Sequence, residues 1–197
     1  MLNGEKVALN SSFAVRPGDR LGFRPVSQGS RGYVAFAGGL ETRHHLGSAS
    51  VDLRGGIGRA LVKGDVLGVA ETRAAQPGRV FRPYQLADPE RWPLRLLPGP
   101  QATAEALGAL TRQAFTIGRA DRMGVQLTGA PVPGGEVLSE AVPLGSVQVP
   151  PGGLPLLLLH DRGTLGGYAK PAVLHPADLP RAGQLRPGGR VRFRLAN

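Results

Sequence analysis

Short apolar runs separated by turn-forming residues are the main pattern of this chain. Such runs between Gly and Pro turns are typical of strands that alternate apolar and polar positions or are fully buried. The runs that predict strands cover residues 33–37, 80–81, 94–97, 115–117, 125–127, 147–149, 156–159 and 172–174. Their close spacing predicts a mainly β fold, either a barrel or a sandwich.

One segment departs from this pattern and has helical spacing. Residues 101–114 are nearly free of Gly and Pro, and Ala102, Ala106 and Leu110 recur on one helical face. The turn Pro98-Gly99-Pro100 precedes them. The sequence therefore predicts one helix over about 101–114.

Three similar turn segments recur along the chain. They contain Arg-Pro-Gly-Asp at 16–19, Lys-Gly-Asp at 63–65 and Arg-Pro-Gly-Gly at 186–189, and each precedes a short apolar or alternating run. Pro presets the first turn dihedral, Gly accepts a positive φ, and Asp accepts local backbone hydrogen bonds. We interpret all three as tight turns that lead into strands, with a structural role.

Composition narrows the class of protein. The 197 residues include 30 Gly and 18 Pro and no Cys, which excludes disulfides, thiolate catalysis and cysteine metal sites. The longest apolar stretch, residues 152–159, contains Pro155 and is too short to span a bilayer. The first residues have no apolar signal region. We expect a cytoplasmic protein without a membrane partner.

The charge balance is basic, with 24 basic against 14 acidic residues and a net charge of +10. The basic residues are mostly Arg and are spread along the chain without a dense run, so we expect no nucleic-acid partner. An anionic substrate or an acidic partner surface remains open. His44 and His45 are adjacent and face opposite sides of a strand, and the other histidines are isolated, so no metal site is expected.

Three clusters of polar residues interrupt the apolar pattern. Residues 160–168, His-Asp-Arg-Gly-Thr-Leu-Gly-Gly-Tyr, follow the most apolar run of the chain. Residues 119–124 again combine opposite charges with Gly, and Gln148 is a lone amide within the apolar strand at 147–149. Functional residues often lie on loops that rigid strands hold, although an Asp–Arg pair can also simply attach a loop to the sheet.

In this order, the clusters resemble the 5-oxoprolinase C-subunit family. That family is also called biotin-dependent carboxyltransferase or allophanate hydrolase subunit 2, and it includes the antagonist of the sporulation-kinase inhibitor KipI. The matching stretches are Arg-Gly-Tyr-Val-Ala-Phe-Ala-Gly-Gly at 31–39, Leu-Gly-Ser-Ala-Ser at 46–50, Lys-Gly-Asp at 63–65, Asp-Arg-Met-Gly-Val-Gln-Leu at 121–127, Gly-Ser-Val-Gln-Val-Pro at 145–150, Asp-Arg-Gly-Thr-Leu-Gly-Gly-Tyr at 161–168 and Gln-Leu-Arg-Pro-Gly at 184–188.

The sequence also departs from the family pattern. Gly163 stands where the family has Gln, and Ala49 stands where it has Arg. Family members are usually longer and open with a segment that includes a Gln-Asp-Leu-Gly-Arg-like motif, which this chain lacks. The departures bear on the polar contacts to substrate and on any site that the opening segment completes.

The resemblance implies a cyclophilin-like β-barrel with one packed helix, formed by a single carboxyltransferase-type domain over residues 1–197. It implies one member of a multi-subunit hydrolase, inactive alone, that works with a KipI-like partner and a LamB/YcsF-like partner. The complex cleaves 5-oxoproline to glutamate with ATP, and whether this chain binds ATP is left open. The alternatives are a urea carboxylase-like carboxyltransferase that uses biotin and a non-catalytic antagonist of a KipI-type kinase inhibitor.

Charged residues of the matching stretches are the first candidates for the site. Arg122 and Arg162 are predicted to bind a carboxylate or a carboxyphosphate-like group, because a guanidinium makes bidentate contacts. Asp161 is predicted to act as a general base or to orient Arg162.

Neutral residues of the same stretches complete the predicted site. Gln148 and Thr164 are expected to exchange hydrogen bonds with a lactam or ureido group of a small amide substrate. The backbone N–H groups of Gly166 and Gly167 are predicted to line an oxyanion pocket. Tyr168 offers a planar face and a hydroxyl group.

Overall fold

The computed structural model describes residues 1–26, 28–71, 76–81 and 92–196. The chain divides into two compact units, one of Met1–Arg24 and Gly32–Pro83, the other of Pro25–Arg31 and Tyr84–Asn197. Whether the chain acts as the single domain that the resemblance implies stays a prediction.

The described residues form ten strands and two α-helices. The strands are β1 Leu40–Glu41, β2 Gly68–Val69, β3 Leu94–Pro98, β4 Ala114–Ala120, β5 Gly124–Thr128, β6 Glu136–Ala141, β7 Ser146–Val149, β8 Leu156–Leu158, β9 Leu165–Leu174 and β10 Arg190–Leu195. The helices are α1 Ala104–Thr111 and α2 Leu179–Ala182, and a 3-10 turn at Pro176–Asp178 leads into α2.

Seven strands of the second unit close into a barrel. Their order is β3-β10-β4-β5-β8-β7-β9, and β9 pairs with β3 to complete the ring. Only β3 and β10 pair in parallel among these strands. β6 lies outside the ring and pairs with β9. The mainly β barrel that the sequence predicted is therefore confirmed.

The barrel interior is filled by apolar side chains that occupy alternate positions along its strands. On β10, Val191 and Phe193 are buried, whereas Arg190, Arg192 and Arg194 between and beside them are exposed. The ring of Phe193 packs against Phe115 of β4 with centroids 5.9 Å apart. The local cluster of arginines near the carboxyl end is thus the solvent face of a strand whose other face fills the core.

Helix α1 packs against the barrel through Ala106 and Leu110, which are buried. It is shorter than the predicted 101–114. The Thr103 hydroxyl accepts a hydrogen bond from the Ala106 N–H at 3.1 Å and so caps the first turn. At the other end, the helix stops before Ala114, because Ala114 is the first residue of β4 and pairs with Arg192 of β10.

The first unit contains little regular structure. β1 and β2 form an antiparallel pair, other contacts between strands are isolated bridges, and no described side chain of this unit is buried. The predicted strand at 33–37 is wrong, since these residues lie in no ladder and Tyr33 is 84% exposed. The predicted strand at 80–81 reduces to one bridge between Val80 and Ser11. Apolar runs become strands only where another strand and a core cover them.

The three predicted turns are all present. Backbone hydrogen bonds join Asp19 N–H to Arg16 at 3.0 Å, Asp65 N–H to Val62 at 3.1 Å and Gly189 N–H to Arg186 at 3.0 Å. The last two turns lead into β2 and β10. The first leads only to an isolated bridge, and for that turn the predicted strand is wrong.

Within the described ranges, no helix is long and apolar enough to cross a bilayer. The same ranges hold no group of three His or acidic side chains arranged around a metal-sized space.

A buried ion pair attaches the 3-10 turn to the barrel. Asp178, 3% exposed, accepts hydrogen bonds from Arg95 of β3 through its backbone N–H at 2.8 Å, its Nε at 3.0 Å and its Nη2 at 2.9 Å. Burial raises the pKa of this carboxyl, and the hydrogen bonds and charge of Arg95, together with the charge of Arg181, lower it more, so the net shift is downward.

We expect Asp178→Ala to destabilise the second unit by about 1–3 kcal/mol, because it removes the buried acceptor of three hydrogen bonds from Arg95. Urea unfolding at neutral pH measures this loss. Asp161→Ala, which removes a more exposed ion pair, is the control and should cost about 0–1 kcal/mol. Because the pKa of Asp178 is depressed, its stabilisation should disappear as pH falls through that pKa. Equal losses for both variants would contradict the assignment.

The two units should also differ in hydrogen exchange. Amides of the barrel strands are covered by a packed core, whereas the described part of the first unit buries no side chain. We expect barrel amides to exchange about 100-fold more slowly than amides of the first unit, as mass spectrometry of exchanged peptides would measure. Similar protection in both units would show that the first unit has a stability that its burial does not explain.

Candidate functional site

Gln148 is the centre of the candidate site. It lies in β7 between Val147 and Val149, whose side chains fill the barrel core, so its own side chain lies on the outer face of the barrel. The residue is 7% exposed, and its Nε2 is buried and has no hydrogen-bond partner among the described residues. A buried amide donor normally has a partner, and leaving it without one costs about 1–3 kcal/mol.

Gly166 lies beside this amide, and Arg162 is attached to Val142, which also lies next to Gly166. A methyl group added to Gly166 would lie 2.6 Å from Gln148 Nε2 and 3.1 Å from Val142 Cγ2, so a larger residue there would displace the buried Gln148 amide. The Val142 carbonyl accepts a hydrogen bond from Arg162 Nε at 2.8 Å, and its N–H donates to the Thr164 carbonyl at 2.9 Å. We call Gln148, Gly166, Val142 and Arg162 the amide cluster.

Arg122 and Asp161 form an ion pair at the neighbouring loops. Arg122 Nε lies 2.8 Å from Asp161 Oδ2, and Nη2 lies 3.2 Å from Oδ1. A backbone hydrogen bond of 3.0 Å from the Asp161 N–H to the Arg122 carbonyl aligns the two loops. Asp161 therefore orients Arg122, whereas Arg162 is held by the Val142 carbonyl. The predicted alternative in which Asp161 orients Arg162 is wrong, because the two adjacent side chains have different partners.

A second polar cluster, absent from the sequence prediction, surrounds Lys170 of β9. The side chain is fully buried, and its Nζ lies 2.7 Å from Glu140 Oε1 of β6 and donates to the Tyr168 carbonyl at 3.3 Å. The same Glu140 oxygen accepts a hydrogen bond from Gln101 Nε2 at 2.7 Å, and Gln101 Oε1 accepts one from the Lys170 N–H at 2.9 Å. We call Lys170, Glu140 and Gln101 the lysine cluster.

The charge state of the lysine cluster follows from these contacts. The hydrogen bond from Lys170 and then that from Gln101 hold the pKa of Glu140 below its ordinary value. The carboxylate is therefore ionised at neutral pH. The stabilisation from this shift is present above the ordinary glutamate pKa and is lost as pH falls through the depressed one.

The two clusters are neighbours because of a β-bulge. Val147 lies opposite Ala172 and Val149 opposite Ala169, so Lys170 and Pro171 together lie opposite Gln148. Glu140 lies opposite Gly166 in the ladder between β6 and β9. Lys170 of β9 is therefore next to Gln148 of β7, and Glu140 of β6 is next to Gly166 of β9.

The other predicted residues lie at the edge of these clusters. Thr164 is exposed and contributes its carbonyl, and Tyr168, 38% exposed, lies opposite Glu136. Gly166 and Gly167 are consecutive residues of a strand, so their N–H groups point to opposite edges. The predicted oxyanion pocket from both N–H groups is therefore wrong.

The polar residues at 119–124 form a turn next to a shallow groove. Asp121 Oδ1 accepts hydrogen bonds from the N–H groups of Met123 at 2.8 Å and Gly124 at 3.1 Å, which shapes the connection from β4 to β5. The groove, of about 500 Å³, is lined by Ile117, Gly118, Arg119, Ala120, Asp121, Pro187 and Gly188. Asp121 is thus a structural residue of this turn.

Sequence reasoning missed the lysine cluster, although one signal was available. The chain carries only three lysines among 24 basic residues, and one of them, Lys170, lies within the apolar run Ala169-Lys170-Pro171-Ala172-Val173. A lysine in such a run requires a partner when it is buried. The partner Glu140 could not be identified from sequence, because it lies on another strand whose register is irregular.

The close approach at Gly166 gives a stability test. We expect Gly166→Ala to destabilise the second unit by about 1–2 kcal/mol, because the added methyl displaces Gln148 and Val142 in a packed region. Chemical unfolding measures the loss. Gly167→Ala is the matched control, since its methyl would meet nothing nearer than the Val137 carbonyl at 3.3 Å.

The effect of Gly166→Ala should shrink in a Gln148→Ala background, where the nearest atom is gone. An unchanged loss in that background would contradict the proposed contact between Gly166 and Gln148.

Comparisons with known proteins agree with this architecture. The family described as carboxyltransferase domain, subdomain A and B, matches residues 1–195. The crystal structure of TTHA0988 in space group P212121 superposes with a TM-score of 0.92 at 55% identity and covers 98% of this chain and 39% of that chain.

Two curated relatives match along nearly the whole chain. The C subunit of 5-oxoprolinase from Haemophilus influenzae is 34% identical over 98% of this chain and 65% of its own length. The urea amidolyase of Lachancea kluyveri is 27% identical over 98% of this chain and 12% of its own length. The chain thus spans less than two thirds of these relatives. Its barrel, its ordered polar clusters and the match over residues 1–195 show that the chain belongs to the carboxyltransferase-domain family that includes the 5-oxoprolinase C-subunit proteins.

Proposed function

We propose that this chain is the C subunit of a 5-oxoprolinase, which opens the lactam ring of 5-oxoproline to give glutamate with ATP. The observation that carries the proposal is the 34% identity over 98% of the chain to a protein named as the C subunit of 5-oxoprolinase. The partners in the proposal are the other two members of the complex, one KipI-like and one LamB/YcsF-like.

The amide cluster supplies chemistry that such a reaction needs. Opening a lactam develops negative charge on the carbonyl oxygen, and preorganised donors in a site from which water is excluded stabilise that charge. Gln148 Nε2 is a buried donor without a partner among the described residues. In the proposal it donates to the lactam carbonyl, which removes the cost of leaving the amide unsatisfied.

Arg162 has the second role in the proposal. The Val142 carbonyl holds its Nε, which fixes the plane of the guanidinium. In the proposal, its terminal N–H groups bind the anion that forms at the carbonyl as a planar fork of donors. Thr164 lies two residues from Arg162 and completes the polar border of the cluster.

The Arg122–Asp161 pair has a positioning role at the loop that carries Arg162. Exposed ion pairs contribute little to stability, and the side chains of this pair are 60% and 37% exposed. In the proposal the pair keeps the two loops in register, and Asp161 is the candidate general base next to Arg162. ATP enters as a substrate of the complex, and no residue of this chain is assigned to it.

A second candidate function is carboxyl transfer, favoured by the 27% identity to a urea amidolyase. In that case, Gln148 Nε2 would donate a hydrogen bond to the carbonyl of a ureido group, and biotin would supply the carboxyl group when bound. No residue of this chain is assigned to biotin. The non-catalytic antagonist of a KipI-type inhibitor remains a further prediction from the sequence resemblance.

Reconstitution tests the proposed function. The KipI-like and LamB/YcsF-like partners from the same source are mixed with ATP and 5-oxoproline, with and without this chain, and glutamate release is measured. We expect release to depend on this chain. No release, with partners that are active with a longer member of this family, would contradict the proposal. Carboxylation of urea in a biotin-dependent assay would then favour the second candidate.

Gln148→Leu tests the role of the amide in the same assay. We expect kcat/KM to fall about 10- to 100-fold, because a hydrogen bond to developing charge is lost while the side-chain size is nearly kept. Gln126→Leu is the matched control, since Gln126 is an exposed amide on β5 and lies outside both clusters. Equal effects of the two substitutions would remove Gln148 from the site.

A further inference from the structure

Lys170 is a buried cation that the proposed reaction does not use. Its side chain has no solvent exposure, and the one carboxylate within ion-pair distance among the described residues is Glu140. Removing an ammonium group from water costs several kcal/mol, so this position requires an anion beside it. Lys170 therefore needs a carboxylate or a similar anionic group beside its Nζ on the outer face of the barrel.

Glu140 provides this carboxylate from a strand that lies outside the ring. β6 lies outside the closed ring and pairs only with β9, with a register shift between Glu136 and Glu140. None of the residues of β6 is buried, and the Glu140 side chain is 40% exposed. Displacing this carboxylate into water thus requires neither opening the barrel nor exposing a core side chain.

The neighbouring Gln148 amide separately lacks a hydrogen-bond acceptor. Gln148 Nε2 is buried without a partner in the described part of the chain, and the bulge places Lys170 opposite Gln148 in the adjoining strand. Gln148 Nε2 also lies beside Gly166, and Gly166 lies opposite Glu140, the carboxylate that contacts Lys170 Nζ. A cationic donor and a neutral amide donor are therefore neighbours on one face, and Glu140 satisfies only the first.

We propose that Lys170 and Gln148 form one binding site for a small molecule that carries both a carboxylate and an amide carbonyl, and that Glu140 occupies the carboxylate position in the free chain. Binding exchanges one carboxylate for another at Lys170 Nζ, and Glu140 moves into solvent. The identification of this molecule with 5-oxoproline, whose lactam carbonyl and carboxylate fit the two donors, rests on the proposed function. The site itself rests on the geometry of the two clusters.

Three cyclic probes separate the two halves of the site: 5-oxoproline, cyclopentanecarboxylate, which lacks the amide, and 2-pyrrolidinone, which lacks the carboxylate. Their affinities for the purified full chain are measured by ligand-observed NMR titration at neutral pH. We expect Glu140→Gln to bind 5-oxoproline and cyclopentanecarboxylate about tenfold more tightly than the unchanged chain, because the internal competitor is removed. The affinity for 2-pyrrolidinone should stay the same.

Two further variants complete the test. Glu136→Gln removes the same charge from the same strand without contact to Lys170, and it should leave all three affinities unchanged. Lys170→Met combined with Glu140→Gln removes both charges together, so no buried charge is left alone, and thermal unfolding verifies that the variant is folded. This double variant should lose the gain for both carboxylates and keep the affinity for 2-pyrrolidinone.

The opposite results would overturn the proposal. These are no gain for the carboxylates in Glu140→Gln, an equal gain in Glu136→Gln, or a gain that persists without Lys170. The outcome is separable from the reconstitution assay. If glutamate release fails while Glu140→Gln still gains affinity for cyclopentanecarboxylate, the carboxylate site stands and the 5-oxoprolinase function does not.

Discussion

The strand Leu165–Leu174 is the element on which both the barrel and the candidate site depend. Its second half pairs with β3 and β7 and closes the ring, while its first half extends beyond the ring to pair with β6. One strand therefore has a buried section and a partly exposed section. The change between them occurs at Lys170, where a bulge opposite Gln148 shifts the register. The strand that closes the barrel therefore also brings Lys170 next to Gln148 at this irregularity.

Glycine at two positions makes this arrangement sterically feasible. A methyl group at Gly99 would clash with the Lys170 carbonyl, and one at Gly166 would lie 2.6 Å from Gln148 Nε2. The first glycine lets the segment before α1 approach the bulge, so that Gln101 reaches both Lys170 and Glu140. The second leaves the face of β9 open beside the amide. Both glycines thus allow the polar groups of the two clusters to pack close to the backbone of β9 and its neighbours.

The two units differ in how far their apolar side chains are buried. In the barrel, apolar positions face a common interior and are buried, whereas in the first unit large apolar side chains such as Leu9, Leu46 and Val66 are at least 88% exposed. The fold of the barrel is therefore explained by its own core, and the local structure of the first unit by turns and short backbone contacts.

The sequence by itself determined the strand-rich fold, the helix near residue 107, the turns and the family, because these depend on local periodicity, turn chemistry and ordered motifs. It also identified Gln148 as a lone amide and placed Val147 and Val149 on the opposite face. Tertiary structure decided which apolar runs become strands, which partner each charged residue has, and that Lys170 and Glu140 meet. Those outcomes depend on strand register and on a one-residue bulge, and the local sequence of each strand shows neither.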